Sequence, residues 1–333
     1  MNFCVFGAGA WGTAIAIHLH RAGHSVTLVP RRVEHAAALA TTRENTGYLP
    51  GFFLHEDIQI ACEPRPPLME ADVAILACPS HGLRELATRL SAVLDTAWRV
   101  RIFISLTKGL EQKTLLRPSQ VLAQALPNHL HGVLSGPSNA AEVARGLPGA
   151  VVFATDHDDD IARLVQEAIS DTTVRVYRST DIAGVELGGI LKNIYAIGAG
   201  ISDGLAFGSN AKASYLTRAM HEMERLGIAA GGKSETFFGL SGVGDLIATA
   251  HGDWSRNRAL GAAIARTGET AATYLASQHS VVEGYPAAAC FHQLARERGV
   301  SAPILEALYA VLYKGISPRE GVAALMQRIA CVE

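Results

Sequence analysis

The chain has 333 residues, 49% of them apolar, with 29 basic against 31 acidic groups and a formal net charge of −2. The length accommodates two domains of ordinary size with ample material for a core. The near-neutral charge excludes a broad electrostatic footprint for nucleic acid, so any basic group at a site acts locally.

The five cysteines, Cys4, Cys62, Cys78, Cys290 and Cys331, are scattered and form no C-x-x-C pair. Neither a disulfide framework nor a zinc knuckle is indicated, no metal site is expected, and a reducing, cytoplasmic compartment is the expectation. No run of uncharged apolar residues is long enough for a spanning helix. Residues 3–17 carry no charge and resemble the core of a signal peptide. They lack its basic leader, however, and their glycines fall at fingerprint positions.

Phe3-Cys4-Val5-Phe6 predicts a buried strand, and Gly7-Ala8-Gly9-Ala10-Trp11-Gly12 follows it directly as G-x-G-x-x-G. Gly7 permits a tight turn, Gly9 lets the backbone approach a pyrophosphate, and Gly12 lets the next helix pack closely on the strand. The start of that helix offers unpaired N–H groups to phosphates. Ala14, Ile15, Ile17 and Leu19 continue at helical spacing, and Ser25–Val29 predicts the second strand. An NAD-specific unit usually has an acid at the end of this strand. Here Arg31 and Arg32 stand there, and no acid follows until Glu34. Guanidinium forks suit the 2′-phosphate of NADPH. A solvated surface pair is the other reading.

Further apolar runs predict strands at 73–77, 100–105, 132–135 and 149–154, with an edge strand at 174–177. Helical patterns at 82–94 and 158–170 lie between them. The alternation predicts an α/β fold: an N-terminal Rossmann domain, a doubly wound and mostly parallel sheet covered on both faces, over residues 1–181. Past residue 180 the strand-like runs almost vanish. Long stretches of period 3.6 at 182–205, 211–226, 256–267, 285–298, 303–313 and 318–330 predict an all-helical C-terminal domain, 182–333, as the substrate-binding part. The acidic run Asp156 to Asp160 reads as a solvated helix start.

Three loops follow strands, where open α/β sheets bind ligands. They are Cys78-Pro79-Ser80, Thr107-Lys108-Gly109-Leu110-Glu111 and Ser135-Gly136-Pro137-Ser138-Asn139-Ala140. Lys108 reads as functional. Ser138 reads either as a ligand contact or as a helix cap. No G-x-S-x-G elbow accompanies it, which argues against a serine nucleophile. In the helical half, Lys192 sits inside an apolar stretch with two glycines before it, and an ammonium buried there needs a partner or a task. Asp245 follows Gly242 and Gly244 among apolar residues. Ser255 reads as an N-cap ahead of Arg256, Asn257 and Arg258, a helix start suited to an anion. A lysine, a carboxylate and such a helix start point to a small phosphorylated substrate.

Gly227 to Ser234 matches the P-loop pattern G-x-x-x-x-G-K-[ST]. A P-loop needs a buried strand before it, and the preceding residues 218–226 read as a charged amphipathic helix. His129 and His131 have no ligand company and read as surface residues.

The constellation closely resembles the bacterial type of the NAD(P)-dependent glycerol-3-phosphate dehydrogenase family. The matching segments are GAGAWGTA at 7–14, YLPG at 48–51, TKGLE at 107–111 and SGPSNAAEVARGLP at 135–148. They continue as GVELGGILKNIYAIGAGISDGL at 184–205, NAKA at 210–213, TFFGLSGVGDL at 236–246, SRNR at 255–258 and VEGYP at 282–286. The resemblance implies a Rossmann domain followed by a helical domain. It also implies reversible reduction of dihydroxyacetone phosphate to sn-glycerol 3-phosphate with NADPH or NADH, feeding phospholipid synthesis.

By the same resemblance Lys192 is the proton donor and acceptor, with Lys108 and Asp245 beside it in the catalytic set. Lys108, Gly136, Ser138, Lys192, Asp245, Ser255, Arg256 and Asn257 contact the substrate. Trp11, Arg31, Arg32, Tyr48, Lys108, Ala140, Arg256, Val281 and Glu283 contact the cofactor together with the loop residues Gly7, Gly9, Ala10 and Gly12. Three positions depart from the family pattern: Val29 stands for the usual Trp, Gly47 for an Arg and Asn139 for a Phe. They bear on the choice between NADP and NAD and on inhibitor sensitivity. The expected partner is the small substrate, with no nucleic acid and no membrane segment; a homodimer is one assembly open to the chain. Two rival readings are a related dehydrogenase for another hydroxy or keto substrate and a non-catalytic NADPH sensor.

Overall fold

The computed structural model describes residues 1–94, 99–157, 159–278 and 281–329. Cys331, and the end of the helical pattern predicted at 318–330, lie outside them. The chain divides into two compact units. Met1–Glu111 with Leu116–Glu186 form the first, and Gln112–Leu115 with Leu187–Glu333 form the second.

The first unit is built on an eight-stranded sheet. In sequence order its strands are β1 (Asn2–Phe6), β2 (Ser25–Val29), β5 (Gln59–Ile60), β6 (Val73–Leu76), β7 (Ile102–Ser105), β8 (Leu130–Ser135), β9 (Gly149–Ala154) and β10 (Val174–Ser179). Their spatial order is β10-β9-β8-β7-β6-β1-β2-β5. Every neighbouring pair is parallel except β8 and β9. Side chains alternate across the sheet: Phe3 and Val5 enter one apolar cluster, and Cys4 and Phe6 enter another. Both faces are therefore covered, as the near-continuous apolar strands require. Among the covering helices, α1 (Ala10–Arg21) and α7 (Asp159–Ile169) feed the first cluster, while α4 (Leu83–Ser91) and α5 (Pro118–Ala125) feed the second.

Burial on both faces corrects one expectation. His131 lies on β8 and is buried, with Nε2 3.0 Å from the Leu126 carbonyl, and its neighbour His129 packs edge-on to Phe103. A histidine on an inner strand has no route to the surface.

Several short elements had no signal in the sequence. They are α2 (Val33–Thr42), an antiparallel hairpin of β3 (Glu44–Asn45) and β4 (Leu49–Phe53), and α3 (Arg65–Glu70); α6 (Ala140–Arg145) was signalled only by the possible cap at Ser138. In α2 only Ala36 and Leu39 are buried, too few to write an apolar stripe.

The second unit is helical. Its main elements are α8 (Ile182–Gly204, which begins in the first unit), α9 (Gly208–Ala229), α10 (Ser234–Phe237), α11 (Asp245–His251) and α12 (Arg256–Thr267). They are followed by α13 (Ala271–Ala276), α14 (Gly284–Glu297), α15 (Pro303–Tyr313) and α16 (Pro318–Met326). Residues 184–202 of α8 are buried without a break. Glycines make that burial possible. A Cβ on Gly200 would lie 2.0 Å from the Arg258 carbonyl, and one on Gly261 would lie 1.9 Å from the Ile197 carbonyl, so α8 and α12 touch backbone to backbone. The carboxylate of Glu222 on α9 accepts from the first N–H groups of α15, Ile304 at 2.9 Å and Leu305 at 2.7 Å, and from the Tyr195 hydroxyl of α8 at 3.1 Å.

The P-loop match falls away here. Gly227 lies inside α9, where a Cβ would stand 1.9 Å from the Phe237 ring. A helix, not a strand, leads into Lys233.

Candidate active site

In the first unit, β1 ends at the glycine-rich loop and α1 begins at Ala10. Gly7 has φ +107°, and a Cβ there would meet the Ala77 carbonyl at 2.3 Å. A Cβ on Gly12 would meet the Gly7 carbonyl at 1.9 Å, whereas one on Gly9 would meet nothing within 4 Å. Gly7 and Gly12 therefore serve the fold, while Gly9 borders open space where a ligand can reach the backbone. The first intrahelical bond runs from Thr13 N to the Gly9 carbonyl, 2.9 Å. The N–H groups of Ala10, Trp11 and Gly12 thus have no acceptor inside the helix, and no acid sits in its first turn. A dinucleotide pyrophosphate fits this arrangement.

Gly7 N donates to the Val29 carbonyl at 2.9 Å, so the end of β2 lies against the loop. Arg31 and Arg32 follow at once, both exposed, and Arg32 opens α2. Two exposed arginines that follow a strand end held against the glycine loop suit a 2′-phosphate. Tyr48 is exposed, with its ring 5.5 Å from that of His35.

Beyond β7, Lys108 Nζ donates to the Gly136 carbonyl at 3.1 Å and to Ser138 Oγ at 3.4 Å. Ser138 Oγ in turn donates to the Gly136 carbonyl at 2.9 Å. Gly136 has φ +133°, a value that favours glycine. The cap of α6 is Asn139, whose Oδ1 accepts from Glu142 N at 2.9 Å. That settles one open reading: Ser138 is not the cap. The departure at Asn139 is a helix cap in its own right, and Ala140 is the first residue behind it.

In the second unit, Lys192 Nζ lies 2.9 Å from Asp245 Oδ1 and donates to Thr249 Oγ1 at 2.7 Å. Thr249 Oγ1 also lies 3.2 Å from Asp245 Oδ1. Local backbone explains the meeting. Residues Leu240–Gly244 form a π-helical turn that delivers Asp245 to the first position of α11. Such turns recur at functional sites. A Cβ on Gly188 would approach the Ser241 carbonyl to 2.9 Å, so α8 packs tightly on this turn one helical step before Lys192.

Next to Lys192, Asn193 Oδ1 accepts from Asn257 Nδ2 at 2.9 Å, and Asn257 Oδ1 accepts from Gly284 N at 2.9 Å. Ser255 caps α12, accepting from Arg258 N at 3.2 Å, as its position in the sequence predicted. Arg258 is held by Asp203, 2.6 Å, and Asp203 also takes Lys212 Nζ at 2.9 Å. Arg256 stands in the first turn of α12, where desolvation lowers its pKa against the opposing charge of Glu283, which opens α14. Val281 is exposed.

The structure thus joins the strand end ahead of Arg31 and Arg32 to the glycine loop, sets Tyr48 beside His35, and gathers Lys108, Gly136 and Ser138 around another loop. It gathers Lys192 with Asp245, and Ser255, Arg256 and Asn257 at one helix start. Three further residues were passed over in the sequence. Thr249 completes the lysine–aspartate pair. Asn45 bonds to the glycine loop. Glu186, fully buried, accepts from Ser119 N (2.6 Å), Ser119 Oγ (2.7 Å) and Arg117 at the start of α5. Burial pushes the Glu186 carboxyl up against the pull of Arg117 and Ser119. Its place six residues before Lys192 in an apolar helix was the available hint.

Among the described residues, one histidine-containing group, His20, His55 and Asp57, has possible donor atoms within 4.8 Å of one another. The two rings stack with centroids 4.5 Å apart.

A family model for the NAD-dependent glycerol-3-phosphate dehydrogenase N-terminus matches residues 2–161, and one for the C-terminus of the same enzymes matches residues 181–323. The glycerol-3-phosphate dehydrogenase (NAD(P)+) of Syntrophotalea carbinolica is 42% identical over 333 residues, covering 98% of each chain. That of Nitrosomonas eutropha is 43% identical over 329 residues, again with 98% of each chain covered. Among solved structures, glycerol-3-phosphate dehydrogenase from Coxiella burnetii superposes with a TM-score of 0.92 at 34% identity, covering 98% of both chains.

Proposed function

The chain belongs to the NAD-dependent glycerol-3-phosphate dehydrogenase family, and from that premise we propose how its residues carry the reaction. It is an NAD(P)-dependent oxidoreductase that reduces dihydroxyacetone phosphate to sn-glycerol 3-phosphate, reversibly. The assignment of residues 1–181 to the dinucleotide and of 182–333 to the substrate is part of the proposal.

The observation that carries the mechanism is the buried contact of Lys192 with Asp245 and Thr249. NAD(P)H, when bound, supplies the hydride to the ketone carbon. Negative charge then grows on the carbonyl oxygen. Lys192 stabilises that charge as an ammonium and delivers a proton from Nζ, a role that contributes about 10²–10⁴-fold. Asp245 fixes the ammonium from one side, and the Thr249 hydroxyl takes a second N–H. In the reverse direction the same nitrogen collects the alcohol proton.

Arg256, with the capped start of α12, is assigned to the substrate phosphate. Asn257, held between Asn193 and Gly284 N, cannot turn away from that helix start. Lys108, Gly136 and Ser138 are assigned to the substrate from the first unit. The glycine loop, Ala10 and Trp11 are assigned to the pyrophosphate. Arg31 and Arg32 are assigned to the 2′-phosphate of NADPH. Tyr48, Lys108, Ala140, Arg256, Val281 and Glu283 complete the cofactor set.

No helix among the described residues is long and apolar enough to cross a membrane. A cytoplasmic location and a homodimer belong to the proposal, and cell fractionation and light scattering check them.

The deciding assay follows oxidation of NADPH and of NADH with dihydroxyacetone phosphate and with unphosphorylated dihydroxyacetone. Turnover is expected on the phosphate ester, with most of the rate lost when the phosphate is removed. Equal rates on both ketones would remove Arg256 and the α12 start from their role.

A further inference from the structure

We infer that Asn45 is a positioning residue for the cofactor, holding the glycine-rich loop and the arginine-bearing turn after β2 in one fixed relation. The inference rests on the reading that this loop takes the pyrophosphate and this turn the 2′-phosphate.

Asn45 lies on β3 and is 2% exposed. Its Nδ2 donates to the Ala8 carbonyl at 2.9 Å and to Thr13 Oγ1 at 2.7 Å. Ala8 is the residue between Gly7 and Gly9, and Thr13 follows Gly12 on α1. One amide therefore grips the fingerprint from both ends. Its Oδ1 lies 3.1 Å from His35 Nε2. With both amide hydrogens committed to oxygens, Oδ1 is the acceptor and the His35 ring the donor. Turning the amide over would set Oδ1 against the Ala8 carbonyl, so the orientation is fixed.

His35 stands in the first turn of α2, three residues past Arg32. The chain of bonds thus runs from the glycine loop through Asn45 to the helix that Arg32 opens. The hairpin beneath Asn45 is itself braced. Gly51 N donates to Glu44 Oε1 at 2.7 Å, and Arg43 donates to the carbonyls of Leu54 and Ile58. A loop with a glycine at every second or third position has little stiffness of its own. An outside bond to Ala8 supplies it, and rigid supporting contacts are what hold a binding constellation in place.

The test measures NADPH and NADH dissociation constants by fluorescence titration for the wild type, Asn45→Ala, Thr13→Val, Thr13→Ser and His35→Ala, each checked for folding by urea unfolding. Asn45→Ala and Thr13→Val are expected to weaken both cofactors by a similar factor, about tenfold or more, as loss of a buried hydrogen bond gives. Their kcat at saturating cofactor and KM for dihydroxyacetone phosphate should stay within about twofold of wild type. Thr13→Ser restores the acceptor and should restore affinity. His35→Ala should weaken NADPH more than NADH, because only NADPH carries the group that faces the arginine turn. Thr13→Val keeps the shape of the core and carries the test if Asn45→Ala does not fold.

Folded variants with wild-type affinity for both dinucleotides would overturn the role of Asn45, while wild-type binding leaves the cofactor reading intact. A wild type that binds neither dinucleotide would overturn that reading and this one with it.

Discussion

Lys192 Nζ and Asp245 Oδ1 are 2.9 Å apart, and their side chains are only 6% and 1% exposed. Such a pair is a weak device for stability, because desolvating two charges offsets much of their attraction. A chain that keeps it inside an apolar helix uses it for something else.

Replacing Lys192 with Ala should lower kcat by at least about 10²-fold, the lower end of the contribution of a placed proton donor. Cofactor affinity should be unchanged. Steady-state kinetics beside a fluorescence titration separates the two quantities. Near-normal turnover would take Lys192 out of the mechanism.

Asp245→Asn leaves the ammonium buried without its counter-charge. Removing one member of a buried pair destabilises by about 3–5 kcal/mol. Urea unfolding should show that loss together with a large fall in kcat. An unchanged unfolding midpoint would mean that the ammonium has another anion to rely on.

The glycines of the first loop should separate folding from binding. A Cβ on Gly12 would stand 1.9 Å from the Gly7 carbonyl, which is backbone and has nowhere to go. Gly12→Ala should therefore destabilise the first unit by about 3 kcal/mol or more. A Cβ on Gly9 meets nothing. Gly9→Ala should fold with a loss of about 1 kcal/mol or less, yet bind NADPH and NADH at least about tenfold more weakly because the methyl stands in the pyrophosphate's path. Equal effects of the two substitutions on unfolding would contradict the assignment.

Arg32→Ala should raise the NADPH dissociation constant and leave that of NADH nearly unchanged, since a guanidinium fork is matched to the extra phosphate. Titrations with both reduced cofactors decide it. An equal loss for both would return the pair to the solvated surface.

Acid stability should depend on Asp171, between α7 and β10. Burial alone would raise its carboxyl. Hydrogen bonds from Val174 N, Thr173 N and the Thr173 hydroxyl, with His18 nearby, outweigh it and hold the carboxyl down to about 2. The folded value is below the ordinary 3.8. The stabilisation is therefore present above about pH 4 and lost as pH falls toward about pH 2. It amounts to about 2 kcal/mol. The gap in urea unfolding between wild type and Asp171→Asn should narrow across that range. A gap that stays constant would assign the effect to packing.

Much of the site was legible because its residue types are unusual where they stand. The three glycines of the loop, Lys192 in an apolar helix, Asp245 after two glycines and Ser255 ahead of Arg256 each break the local pattern. The capping role of Ser255 could be read from its position alone. Ser138 could not. Whether it or Asn139 caps α6 turns on one residue of register, and the backbone there decides for Asn139. His131 misled in the same way. Its polarity suggests the surface, but its place on an inner strand buries it.

The hairpin that carries Asn45 lies furthest from sequence reach. It has two residues in one strand and no apolar alternation to announce it. Thr249 shows the same limit, since a threonine in a helix is ordinary until the lysine it meets is known.

By itself the sequence determined the alternating strands and helices, the glycine loop, the helical second half and the family. Apolar periodicity and backbone freedom are local properties that a few consecutive residues express. The tertiary structure alone decided which polar groups meet. Lys192 reaches Thr249 across 57 positions, and Asn45 reaches Ala8 across 37. Those contacts exist because close backbone packing, permitted by Gly188 on α8 and by Gly7 and Gly12 in the loop, brings distant segments within hydrogen-bonding range.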